Sequence, residues 1–211
     1  MAQWDFSRVL PWWPALLAPS AIVVVLLTRD TAVGEAIRAH DAGPLPVVIP
    51  LAAGAVGLVG WAVRRRPLLL LLGLLGVLFF LREASVPGTD DHLPGMKKGV
   101  YAGLLVLGVW AYVWRDRLGH WVARGRLLPG LVAMWGTYAL SQTIARGGLK
   151  LVSDLTDASG QKLRTPMEES CETVGHLLLL GLVLASLLMR QPGTAAAGSR
   201  VPAESGGEAM A

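Results

Sequence analysis

The apolar positions of this chain fall into six long runs, at about residues 10–27, 45–63, 68–83, 99–114, 127–145 and 167–189. Polar segments separate them. A helix of about 20 residues crosses a hydrocarbon layer roughly 30 Å thick, and each run approaches that length. The runs are too long and too uniformly apolar for barrel strands, and a bilayer offers backbone groups no water, so each is predicted to be a helix. The fold class expected is therefore all-α: a polytopic bundle of six transmembrane helices over 1–190. A tail, 191–211, is rich in Gly, Ala, Ser and Pro and reads as disordered.

The connections add detail. Pro11 and Pro14 suit the start of the first helix, Trp12 and Trp13 suit a membrane interface, and Pro19 is a place for a kink. Gly54, Gly57 and Gly60 line one side of the second run, and Gly99 and Gly103 share a face of the fourth. Both arrangements allow a neighbouring helix to approach closely. Arg64-Arg65-Arg66-Pro67 is a tight turn, and 115–126 reads as a basic loop. No internal repeat relates the two halves.

Composition agrees with the pattern. Of the 211 residues, 53% are hydrophobic and only 16% are charged, against roughly 25% charged in soluble domains. The net charge of +4 does not point to nucleic acid, because the basic residues cluster beside apolar runs, where positive-inside placement accounts for them. Six spans put Arg64 to Arg66 and the cluster Arg115, Arg117, Arg124 and Arg126 on the side of both termini, which is expected to be cytoplasmic. The expected location is the cell membrane. Cys171 is the only cysteine, so neither an intrachain disulfide nor a CxxC pattern exists.

Chemistry concentrates where the sixth run begins. Glu168, Glu172 and His176 climb one helix face in steps of about 40°, with Glu169 within about 20° of His176. Ionisable groups at membrane depth are costly and face a protein interior or a cavity. Arg82 and Glu83 end the third run on the same side as Glu172, and Arg146 follows the fifth run on that side too. The expectation is that Arg82 or Glu83 sits beside the Glu169–Glu172–His176 face. In an enzymatic reading, Glu172, His176, Glu169 and Glu83 are the candidate acid–base residues. Arg82 and Arg146 would hold a lipid phosphate, and a divalent metal would draw on Glu168, Glu172, His176, Asp91 and His92. Simpler roles compete with each. First-turn acids complement the helix dipole, Thr165 and Glu168 have capping-box spacing, and Asp90-Asp91-His92 lies in a Pro- and Gly-rich turn.

Other chemistry is excluded by motif. Gly54, Gly57 and Gly60 sit inside a span and make no dinucleotide fingerprint. HExxH, Walker A and Gly-x-Ser-x-Gly patterns are missing. Haem is disfavoured because His176 has only His40 and His92, both in loops, as candidate partners. His120-Trp121 reads as an interfacial segment touching anionic lipid. Ser85 and Thr89, and His176 and Leu180, stand where the seven-span hydrolase superfamily has Ser-x-x-x-His and His-x-x-x-His, so that resemblance fails. Arg82-Glu83 closing one span and Glu168-Glu169-Ser170-Cys171-Glu172 opening the last are similar to the motifs of uncharacterised bacterial multi-pass membrane proteins. That resemblance implies a place in the bacterial inner membrane and no known activity. The function expected is a non-enzymatic membrane component with a polar cluster at the outer surface, bound to the bilayer and to a lipid or membrane-protein partner. A metal- or acid–base-dependent lipid hydrolase or transferase at the outer leaflet, and a small transporter, are the alternatives.

Overall fold

A computed structural model describes residues 10–32, 45–84, 96–124, 126–147, 154–156 and 162–189. The disordered tail expected over 191–211 lies outside them, as do His40 and the Asp90-Asp91-His92 turn. The protein is all-α, and among the described residues the sole β feature is an isolated bridge between Thr156 and Lys162.

A 3₁₀ helix, Leu10–Leu16, leads into α1, Leu17–Thr28. Then follow α2, Leu45–Arg64; α3, Pro67–Ala84; α4, Met96–Val113; α5, Arg115–Arg124; α6, Leu128–Ala145; and α7, Arg164–Leu188. The six apolar runs all fold as helices. The first is divided between two helix types, and its prolines explain the division: Pro14 lies in the 3₁₀ stretch and Pro19 in the first turn of α1, where a missing N–H costs least. The segment expected as a basic loop is instead the amphipathic helix α5. Leu118 is buried and Trp121 and Val122 pack on the core, while Arg117 and His120 point outward. The short apolar spacing 118, 121, 122 is helical, and its basic residues masked it. The capping box is not formed either. Thr165 lies inside α7, whose N-cap is Leu163 without a side-chain cap.

Three stretches, Pro46–Arg64, Pro67–Ala84 and Arg164–Leu188, are long and apolar enough to cross a membrane. Trp12–Thr28 and Lys98–Val113 are shorter apolar helices.

α7 is the central helix, packing against α1, α2, α3 and α6. The main core joins α2, α3, α6 and α7 through Ala53, Leu69, Leu72, Met134, Leu179 and Val183. A smaller core under the start of α7 joins Ala18, Val25, Ile144, Met167 and Cys171.

The tightest contact is α2 against α3, and it is made of backbone. A Cβ on Gly57 would stand 2.6 Å from Cα of Gly73, and one on Gly76 would stand 2.5 Å from the Gly54 nitrogen. The glycine face read from the sequence therefore exists, and α3 answers it with Gly73 and Gly76. Gly60 instead meets Leu187 of α7. On α4 the expected pair does not act as one: Gly103 meets Leu78, whereas Gly99 has open space around it.

The turn between α2 and α3 is short because Arg65 adopts a left-handed backbone, φ 54°. This costs an L-residue roughly 1–2 kcal/mol. Arg66 turns inward and is buried. Its Nη1 donates to the Ser186 carbonyl at 2.6 Å and its Nη2 to the Met189 carbonyl at 2.7 Å. Those carbonyls belong to the last turn of α7 and to its C-cap, where intrahelical donors run out. Arg66 therefore caps α7, and the charge sits at the negative end of its dipole.

We predict that Gly76→Ala lowers stability by about 1–3 kcal/mol, because the new methyl meets the α2 backbone. Gly99→Ala, in open space within a helix, raises it by roughly 0.5–1 kcal/mol. Thermal unfolding of the two variants in the same detergent checks the contrast.

Candidate functional site

The end of α3, the last two turns of α6 and the third turn of α7 meet at one place. Each contributes polar residues at helical spacing: Arg82 and Glu83 from α3, Ser141 and Gln142 from α6, and Glu172 from α7. Arg82 Nη2 donates to Glu172 Oε1 at 2.5 Å. Ser141 Oγ donates to the same oxygen at 3.1 Å, and Gln142 Nε2 reaches it at 3.5 Å. Glu172 is only 7% exposed and Ser141 is buried completely. Glu172 lies eight residues into α7, about 12 Å along its axis. At that depth an unmatched carboxylate is expensive, and here it has a guanidinium and a hydroxyl from two other helices. The expected approach of α3 to this face of α7 is thus what the structure has.

Glu83 Oε1 is 3.7 Å from Arg82 Nη1. Glu83 and Glu168 are both close enough to interact electrostatically with Glu172 and Arg82. Glu168 and Glu169 are partly buried in the first turns of α7. Arg146, expected to share the site, is exposed beyond the end of α6 and forms no ion pair among the described residues. Its backbone N–H makes the last helical bond of α6, to the Gln142 carbonyl. Asp91 and His92 lie outside the described residues. Among the described residues no group of three or more His, Cys, Asp or Glu is arranged to hold a metal ion. Glu168, Glu172 and His176, the other three expected ligands, therefore do not form such a group.

One turn deeper His176 joins an aromatic layer with Phe79 and Tyr138, two residues that the motif reading missed. Phe79 stands three residues before Arg82, Tyr138 three before Ser141, and His176 four after Glu172. The Phe79–Tyr138 centroids are 4.4 Å apart, and the Tyr138–His176 and Phe79–His176 centroids 5.6 and 5.8 Å. Gly175 lets the Tyr138 ring lie on α7, since a Cβ there would be 2.9 Å from two ring carbons. His176 is fully buried, and neither ring nitrogen has a hydrogen-bond partner among the described residues. The Tyr138 hydroxyl has none either. The site thus has a bonded ionic layer over an unbonded aromatic one. The signal that would have found the second was the same i, i+3 and i, i+4 spacing that found the first.

Comparison with family models, with curated proteins and with solved structures finds no significant match to this chain.

Removing the Ser141 hydroxyl leaves the carboxylate one donor short. Ser141→Ala is expected to cost about 1.5–3 kcal/mol, the range for a hydrogen bond to a charged group. Gln142→Ala, whose donor stands farther off, is expected to cost less. Chemical or thermal unfolding of the two variants measures the order, and the reverse order would contradict the geometry.

Proposed function

We propose that this chain is a multi-pass integral membrane protein of six transmembrane helices with both termini in the cytoplasm. In this reading it is a non-enzymatic membrane component, and its polar cluster near the outer leaflet holds α3, α6 and α7 in register. The observation that carries the reading is the convergence of donors from α3 and α6 on one oxygen of Glu172. One of its oxygens accepts from Arg82, Ser141 and Gln142, so the best-placed acid of the site serves its neighbours and not a substrate. Three apolar helices of membrane-crossing length support the location. α4 and α6, 18 residues each, are about 27 Å long, and with the Leu10–Thr28 run of 3₁₀ helix and α1 they complete the six, with slight thinning of the layer or with flanking residues. The basic turn Arg64 to Arg66 and the basic helix α5 support the orientation.

A second reading, a small proton-coupled carrier, rests on a different observation: the buried imidazole and phenol without partners among the described residues. Under the structural reading these groups only pack. Replacing His176 by Leu then leaves the unfolding temperature unchanged or raises it, because a buried polar ring without bonds is exchanged for an apolar side chain. A fall of several degrees would mean that the imidazole has a bonding partner in the membrane and would favour the carrier.

Reporter fusions after Arg66 and after Lys98 test the topology. The expected result is a cytoplasmic signal from the first and an external signal from the second. The same compartment for both would refute the six-span arrangement. Metal analysis of the purified protein tests the metal-dependent version of the hydrolase or transferase alternative, for which a stoichiometric metal lost in His176→Ala is required. The non-enzymatic reading expects substoichiometric metal that the substitution does not change.

A further inference from the structure

The end of the bundle opposite the Arg82–Glu172 cluster carries a second arrangement that the proposed function does not use. There, four arginines lie over aromatic rings. Arg65 is 5.4 Å from the Trp61 ring centroid, Arg66 5.1 Å from Trp121, Arg115 4.8 Å from Tyr112 and Arg117 4.6 Å from Trp114. The Arg66–Trp121 contact brings the α2–α3 turn against α5, and the Arg66 cap brings the end of α7 to the same place. Arg64, Arg65, Arg115, Arg117 and Arg126 are exposed around it. Asp116 is the one acid of α5; its side chain is 95% exposed and stands 3.8 Å from Arg115 Nε, a solvent-facing pair that leaves the Arg115 Nη groups clear.

Two physical features make this more than a solvated charge run. A ring contact leaves other N–H groups of a guanidinium available, so at the exposed Arg65, Arg115 and Arg117 the N–H fork can meet a phosphate. Tryptophan and tyrosine rings sit at headgroup level in a bilayer, so the ring under each of these arginines places that fork at phosphate depth. The second feature is independent. Arg65 and Arg126 both adopt left-handed backbone, φ 54° and 51°, at the two places where α2 and α5 end. Glycine is the residue that such a helix end favours. Arginine at both points to a task for the side chain that outweighs the backbone preference.

We infer that this arginine–aromatic collar binds the phosphate headgroups of anionic phospholipids in the adjoining leaflet. The inference rests on the membrane location proposed above. The collar stands on a fixed base, with Arg66 anchored to α7 and Trp121 packed on the core, so lipids bound there form an ordered belt around the α2–α3 turn.

The test uses the full chain in neutral detergent. Phosphatidylglycerol and phosphatidylcholine are added in equal amounts, and retained lipids are counted by native mass spectrometry. The expected result is a preference for phosphatidylglycerol of at least about fivefold, the effect of one basic residue at an anionic surface. The preference should fall as salt rises. Inorganic phosphate at the same concentration should not displace the lipid. The variant R65G/R115Q/R117Q/R126G should lose most of the preference, while R65G/R126G alone unfolds at the same or a higher temperature. Equal retention of both lipids by the native chain, or an unchanged preference in the fourfold variant, overturns the collar. Displacement by inorganic phosphate would show an anion site without lipid selectivity and also overturns it. Recovery of the chain from cells without membranes or detergent would instead overturn the membrane location itself.

Discussion

Everything at the α3–α6–α7 junction follows from a carboxylate about 12 Å along an apolar helix. Glu172 cannot stay charged there alone, and its partners set the positions of two other helices. Arg82 must end α3 at that level, and Ser141 must bring α6 within hydrogen-bond reach. Phe79, Tyr138 and His176 then pack one turn below because each is fixed to a residue of the ionic layer by helical spacing. A buried ion pair of this kind adds little net stability compared with well-packed apolar residues, but breaking one side of it is costly. Its use is to make one helix register far better than the neighbouring ones. A one-residue slip of α7 would carry Glu172 about 100° around the helix, away from both donors.

The rest of the bundle is held by different means. α2 and α3 touch backbone to backbone through Gly54, Gly57, Gly73 and Gly76, a contact that depends on dispersion at short range and not on charge. Arg66 then ties the turn between them to the last carbonyls of α7. The two ends therefore fix α7 against α3 at one extreme by an acid on α7 and an arginine on α3. At the other extreme, an arginine before α3 meets the α7 backbone. Between them the contact is apolar, through Leu69, Leu72, Leu179 and Val183.

Much of this was legible in the sequence, because the governing costs are local. Six apolar runs pointed to six helical regions, and the cost of Glu172 at depth, with few cations to meet it, pointed to Arg82. The glycine spacing of α2 showed that a helix would come close, though not that α3 would supply matching glycines. What could not be read depended on where the chain turns. Arg146 directly follows the last residue of α6, yet it is exposed at the helix's C-cap and forms no ion pair among the described residues. Gly99 has the spacing of a packing face and no helix beside it among the described residues. Arg66 looked like one more basic turn residue, since a role in capping a helix 120 positions away leaves no local mark. α5 was hidden because its charges outnumber the three apolar positions that make it amphipathic.

The central claim is that Arg82 and Glu172 act as a pair that locks the bundle. A double-mutant cycle on their unfolding free energies in detergent tests it most directly. Arg82→Met should cost about 3–5 kcal/mol, because it leaves Glu172 buried without its main partner, and Glu172→Gln should cost less, because Arg82 is a quarter exposed and keeps Glu83 beside it. The double variant should cost far less than the two together, a coupling of about 2 kcal/mol or more. Costs that simply add would show that the two side chains are stabilised independently, and would contradict a junction locked by this pair.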